Sequence, residues 1–183
     1  MAAIIWFVIT PDTKDWTWVL RARCPECGFD SRAIEPGIVP ALLRDNAAAW
    51  RSLLAEGEAT RPRRRPDAWS TLEYACHVRD ACRVYDERLT LMLTEDGPSY
   101  PNWDQDRTAE GDRYSEQDPA RVATELVQAA ERLATHFERV SGEQWQRTGS
   151  RSDGARFTVD SFARYFIHDP VHHLYDVTEN RAA

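Results

Sequence analysis

The chain has 183 residues, enough for one domain with a small appendage and a real buried core. Apolar residues make up 42% of it and charged residues 29%, the balance of an ordinary soluble globular protein. Its formal charge of −7 argues against non-specific binding to nucleic acid or to an anionic membrane surface.

The opening stretch MAAIIWFVIT is apolar but has no basic flank and stops at Pro11. It is too short to span a bilayer and poorly built for a signal peptide, so a cytoplasmic location is expected. There the four cysteines, at 24, 27, 76 and 82, stay reduced. They read as metal ligands, redox groups or small buried hydrophobes rather than a disulfide frame. Residues 1–35 form an N-terminal arm, in which Trp16, Trp18 and Leu20 alternate with Thr17 and Val19 as a strand or extended segment would. The arm carries CPECG, a CxxC whose Pro25 and Gly28 suit a tight knuckle. Three readings stand open for Cys24 and Cys27: a structural turn with free thiols, half of a metal site, or a redox dithiol.

Residues 36–183 read as a bundle of four helices. The first runs from Pro36 to Glu56, with Ile38, Leu42, Leu43, Trp50, Leu53 and Leu54 apolar and Gly57 as its stop. TRPRRRPD then makes a solvated basic connection. Ser70 with Glu73 three residues on is a capping-box signature, opening a helix to Leu93 with Tyr74, Val78, Ala81, Tyr85, Leu89 and Met92 on one stripe. The long segment from Glu95 to Asp118 shows no periodicity and reads as a functional loop. Asp118 caps a third helix, with Pro119 at its first position, and Val122, Leu126, Ala129, Ala130, Leu133 and Phe137 follow at helical intervals. A fourth helix begins near Thr158 and leads into HDPVHHLYDV, which holds three of the five histidines. Pro170 inside it either kinks the helix or ends it.

On a helix His168 and His172 stack on one face, close enough to share an ion. His173 lies about 100° around, at the surface or behind the ligands and paired with Asp169. His77, beside the core stripe of the second helix, is the candidate third ligand, because an inward imidazole needs something to satisfy it. His136 reads as a surface residue near the end of the third helix, and Cys76 and Cys82 as residues apart from the histidine site.

A helical histidine in WSTLEYACHVRD, a long acidic loop, and RYFIHDPVHHLYDV near the end resemble, in that order, the DinB/YfiT-like superfamily of four-helix bundles. That superfamily includes thiol-dependent S-transferases and the N-terminal domain of mycothiol-dependent maleylpyruvate isomerase. The resemblance spans residues 36–178 and implies a divalent metal, zinc or nickel, on His77, His168 and His172. It further implies a low-molecular-weight thiol such as mycothiol, held as its thiolate for transfer to, or isomerisation of, a small electrophile. Asp80, Tyr165 and Asp176 are then candidates to orient ligands, and Trp103, Asp104, Asp106 and Arg107 to meet cofactor or substrate. A homodimer is expected, with IIWFV as a candidate contact. The competing reading is a non-catalytic metal-binding or redox-sensing protein.

Overall fold

The computed structural model describes residues 14–179. Five α-helices follow one another: α1 (Val39–Leu54), α2 (Thr71–Thr94), the short α3 (Gln105–Gly111), α4 (Pro119–Glu138) and α5 (Val159–Thr178). The four long ones make the expected bundle, α4 packing on α1 and α2, and α5 on the same two. Its apolar stripes meet around Trp50, Leu89, Met92, Leu126, Phe137, Phe162 and Phe166, all essentially without solvent contact. Burying each such side chain stabilises the fold by about 1.5–3 kcal/mol. Cys76 and Cys82 belong to this core.

Local chemistry sets the helix starts. Ser70 Oγ accepts from Glu73 N at 3.2 Å while Glu73 Oε2 accepts from Ser70 N at 2.8 Å, and Arg63 grips the same carboxylate. Asp118 accepts from Arg121 N at 2.7 Å to start α4. Thr158 and Ser161 form a second reciprocal box at the head of α5. The basic connection is less free than expected, since Arg64 also donates to the Val177 carbonyl at the far end of α5.

A three-stranded sheet closes one end of the bundle. Strand β1 (Ser99–Tyr100) runs parallel to β2 (Thr148–Arg151), which turns back on β3 (Arg156–Thr158), and β3 feeds directly into α5. Gly149 is required in β2: a Cβ there would meet Met92 Cγ at 2.7 Å and a Tyr100 ring carbon at 3.0 Å.

Two sequence expectations are corrected here. Residues Trp16–Leu20 form a 3₁₀ helix rather than a strand, because the Asp15 carboxylate accepts from Thr17 N at 2.9 Å and starts a turn. The segment after Glu95 is not a bare loop: it holds β1, α3 and a 3₁₀ turn at Tyr114–Glu116. Helix α3 escapes periodicity because seven residues leave no room for a stripe. Pro170 does not end its helix, since α5 continues to Thr178, and the Pro170 carbonyl accepts from Asn46 Nδ2 at 2.8 Å. The IIWFV patch lies outside the described residues.

Candidate metal centre

A cavity of about 990 Å³ opens between α2, the start of α3, the sheet, α5 and the N-terminal arm. His77, Trp103, Tyr165, His168, Asp169, His172 and His173 line it, with Trp16 and Arg21 of the arm on one side and Arg88 and Arg151 on another.

The structure does not gather the donor atoms of His77 with those of His168 and His172, as the three-histidine expectation had them. Two separate clusters of metal-ligating atoms stand side by side among the described residues. One joins His77 to Asp169 and His173, and the other joins His168 and His172 to Cys24 and Cys27. Within each cluster the donor atoms lie within 4.8 Å of one another. The cause is the pitch of α5. Its residues 168 and 172 share one face, 169 and 173 share the next face about 100° around, and that second face looks at α2. His173, expected outside the site, is therefore inside it.

In the first cluster Asp169 Oδ1 stands 3.3 Å from His77 Nε2 and 3.5 Å from His173 Nε2. Two donors each about 2.1 Å from a shared tetrahedral ion would stand about 3.4 Å apart. Those separations are long for a charge-assisted hydrogen bond, which closes to about 2.7–2.9 Å. Both His77 Nδ1 and Asp169 Oδ2 are buried without a hydrogen-bond partner among the described residues. These two orphaned atoms are not the ones that converge; it is the donor set itself, two imidazole nitrogens and a carboxylate oxygen at these separations, that fits a divalent cation.

Neighbours hold these ligands. His173 Nδ1 lies 3.1 Å from Asp176 Oδ2, which turns Nε2 toward the cluster. Trp103 stacks flat on the His77 ring, 5.2 Å between centroids at 10°, and is itself pinned by its indole N–H donating to Thr108 Oγ1 at 2.8 Å. Burial opposes a charge on His173, yet Asp169 and Asp176 outweigh it and raise its pKa to about 9. Burial likewise opposes ionisation of Asp169, but His77 and His173 hold its carboxyl well below the usual range.

In the second cluster Cys24 Sγ lies 3.6 Å from His172 Nδ1, and Cys27 Sγ lies 3.7 Å from His168 Nε2. Burial, then the neighbouring His172, lowers the His168 pKa to about 4, so the ring is neutral at physiological pH. Burial pushes the Cys27 thiol up to about 11.

Other candidates from the sequence fall in different places. Tyr165 lines the cavity and its Oη accepts from Arg151 Nη1 at 3.2 Å. Asp80 does not reach His77: it takes Arg79, Arg83 and the Tyr114 hydroxyl as partners. Asp104 and Asp106 line the cavity mouth, and Asp104 also caps α3 by accepting from Arg107 N at 2.9 Å. Arg107 itself is exposed and outside the lining. His136 is not simply a surface residue, since its Nδ1 stands 2.8 Å from Asp86 Oδ1 across two helices. Sequence reasoning did not single out Asp169 and His173 as candidate donors, although their spacing of four is the same signal that singled out His168 and His172.

No helix among the described residues is long and apolar enough to cross a membrane. No curated protein matches the chain. Among solved structures it is similar to YfiT from Bacillus subtilis, described as a probable metal-dependent hydrolase with an unusual four-helix bundle topology. The likeness has a TM-score of 0.70 at 16% identity and covers 80% of this chain and 87% of that one, which speaks to the fold. The family model of the DinB superfamily matches residues 41–177, which span all four long helices but for the ends of the first and last, and the chain belongs to the DinB superfamily.

Proposed function

We propose that the chain is a metal-dependent enzyme in which His77, Asp169 and His173 hold a divalent ion, zinc or nickel, at the wall of the cavity. The observation that carries this reading is the convergence of those three donors at the cavity wall, at separations that suit a shared ion. Three protein ligands leave a coordination position for a reactant, as catalytic sites need. Bound there, such an ion supplies Lewis acidity, depressing the pKa of a thiol or a water delivered to it. The chain's own part is positional. Asp176 orients His173, Trp103 fixes the plane of His77, and the 3₁₀ helix of the arm narrows solvent access from one side. A volume of about 990 Å³ accommodates a low-molecular-weight thiol beside a small electrophile, far more room than a water needs. We therefore favour thiol transfer or isomerisation, mycothiol being the thiol that the family resemblance suggests, in a protein working in the cytoplasm as a homodimer.

A second reading, hydrolysis, is supported by the likeness to YfiT and by the same open position. The discriminating experiment supplies metal-free protein with Zn²⁺ or Ni²⁺, a thiol (cysteine, glutathione or mycothiol) and a small electrophile such as maleylpyruvate. Metal-dependent conversion that needs the thiol and is lost in His77→Ala is the expected result. Conversion indifferent to thiol would replace the first reading with the second. No turnover above the His77→Ala background with any metal, thiol or ester substrate would overturn both and leave a non-catalytic metal binder.

A further inference from the structure

The second cluster has no part in that chemistry, and it is built differently. Its four donors come from two distant places: Cys24 and Cys27 from a knuckle in the arm, and His168 and His172 from α5, the paired residues standing 148 and 141 positions apart in sequence. We propose that these four residues form a closed, four-coordinate Cys₂His₂ zinc site that staples the N-terminal arm to α5, separate from the cavity-facing centre.

Geometry carries the assignment. With metal–sulfur distances of about 2.3 Å and metal–nitrogen distances of about 2.05 Å, a tetrahedral ion places S and N about 3.6 Å apart. The observed S–N separations are 3.6 and 3.7 Å. The knuckle is preformed: Gly28 N donates to the Cys24 carbonyl at 3.0 Å, Cys24 N donates to the Phe29 carbonyl at 2.8 Å, and Gly28 takes φ of +75°, which only glycine adopts cheaply. Cys24, His168 and His172 are nearly excluded from solvent, at 1%, 4% and 6% exposure. The far nitrogen of His172 faces two carboxylates, Glu26 Oε2 at 3.4 Å and Asp176 Oδ1 at 3.7 Å, while Nδ1 is the nitrogen turned to the sulfur. Four protein donors leave no open position, so the site is structural rather than catalytic.

Its consequence lies in the cavity wall. Trp16 packs against both histidine rings, at 5.6 and 5.2 Å, and Trp16, Thr17, Leu20 and Arg21 face the cavity. The ion therefore holds in place the segment that narrows access to the first centre.

The test uses the full chain, made without a histidine tag and loaded with Co²⁺, because thiolate-to-cobalt charge transfer reports sulfur ligation and is silent for the His77 cluster. The proposal expects this near-ultraviolet band, with tetrahedral visible bands, in the parent and in His77→Ala. It expects the sulfur charge-transfer band to vanish in the double variant Cys24→Ser, Cys27→Ser, whatever visible bands a cobalt ion at the His77 cluster contributes. Should that variant fail to fold, the parent alone decides: Zn²⁺ should slow alkylation of Cys24 and Cys27 by at least about 10-fold, and a chelator should restore it. Absence of the sulfur band in the parent, its persistence in a folded double variant, equal alkylation with and without zinc, or a Cys24–Cys27 disulfide in the freshly purified protein would each overturn the assignment. None of these readouts depends on whether the first centre is catalytic.

Discussion

Asp80→Asn separates two roles that the sequence left open for this carboxylate. In the structure Asp80 is 7% exposed, and both its oxygens are used. Arg79 Nε and Nη2 donate to it at 2.9 and 2.8 Å, Arg83 at 2.9 Å and the Tyr114 hydroxyl at 2.6 Å. Arg79, itself 3% exposed, keeps only Glu125 and Gln117 once this charge is removed. Breaking one side of a buried pair costs about 3–5 kcal/mol, and the surviving Glu125 contact places the expected loss near the lower end, about 3 kcal/mol. With a urea m-value of about 2–3 kcal/mol/M for a chain of this size, the unfolding midpoint should fall by about 1–1.5 M.

The pH dependence gives the sign independently. Burial alone would raise the Asp80 pKa, but Arg79 and Tyr114 hold it below its unfolded value of about 3.8. A carboxyl with a depressed folded pKa stabilises fully above the unfolded pKa, and the contribution disappears as pH falls through the folded one. The gap between parent and variant, measured by urea unfolding, should thus be constant above about pH 5, begin to close near pH 4 and continue to close below it. Metal affinity of the folded variant should stay within about 2-fold of the parent, because residues that orient ligands typically carry 10–100-fold effects. A midpoint shift below about 0.3 M, a gap that persists through acid, or a 10-fold loss of metal affinity would contradict this account and return Asp80 to the histidine site.

Asp176→Asn should weaken the His77, Asp169 and His173 centre by about 10–100-fold in metal affinity and the Cys₂His₂ centre by less. The carboxylate lies 3.1 Å from His173 but 3.7 Å from His172, and competition with a chromophoric chelator reads both. Gly149→Ala forces Met92 and Tyr100 apart and should cost about 1–3 kcal/mol, lowering Tm by about 2–4 °C for each kcal/mol; an unchanged Tm in calorimetry would mean that Met92 yields freely. Glu73→Ala removes both the box at the start of α2 and the Arg63 partner, and should destabilise by about 1–2 kcal/mol in urea without altering metal content.

What was legible in the sequence depended on range. Ser70 with Glu73, and Asp118 with Pro119, announce helix starts because their partners lie within three residues, and the structure has both. The fold class was legible for the same reason, since each stripe is a local repeat. The short pieces, α3 and the three strands, were not: seven residues or fewer carry no period, and the parallel pairing of β1 with β2 joins residues about fifty apart. The site was legible in its parts but not in its grouping. A spacing of four places 168 with 172 and equally 169 with 173, and nothing local says which pair faces α2. Counting histidines favours the first pair; the packing of α5 gives His77 the second.

The same offset explains why six residues, HDPVHH, contribute donor atoms to both clusters. Two pairs spaced by four and displaced by a single residue present two adjacent faces of one helix, about 100° apart. Each pair is completed by chain that the other face cannot reach: α2 supplies His77, and the arm supplies Cys24 and Cys27. The donors then divide by chemistry. Each cluster has two imidazoles on the cavity wall; what differs is the rest, a carboxylate in the cluster facing α2 and two thiols in the one that the arm covers. Because the two clusters share one helix and the Asp176 carboxylate, a rotation of α5 would shift both sets of donors at once. The buried Asn46 Nδ2 donates to the Pro170 carbonyl at 2.8 Å and so ties α1 to α5 beside both pairs.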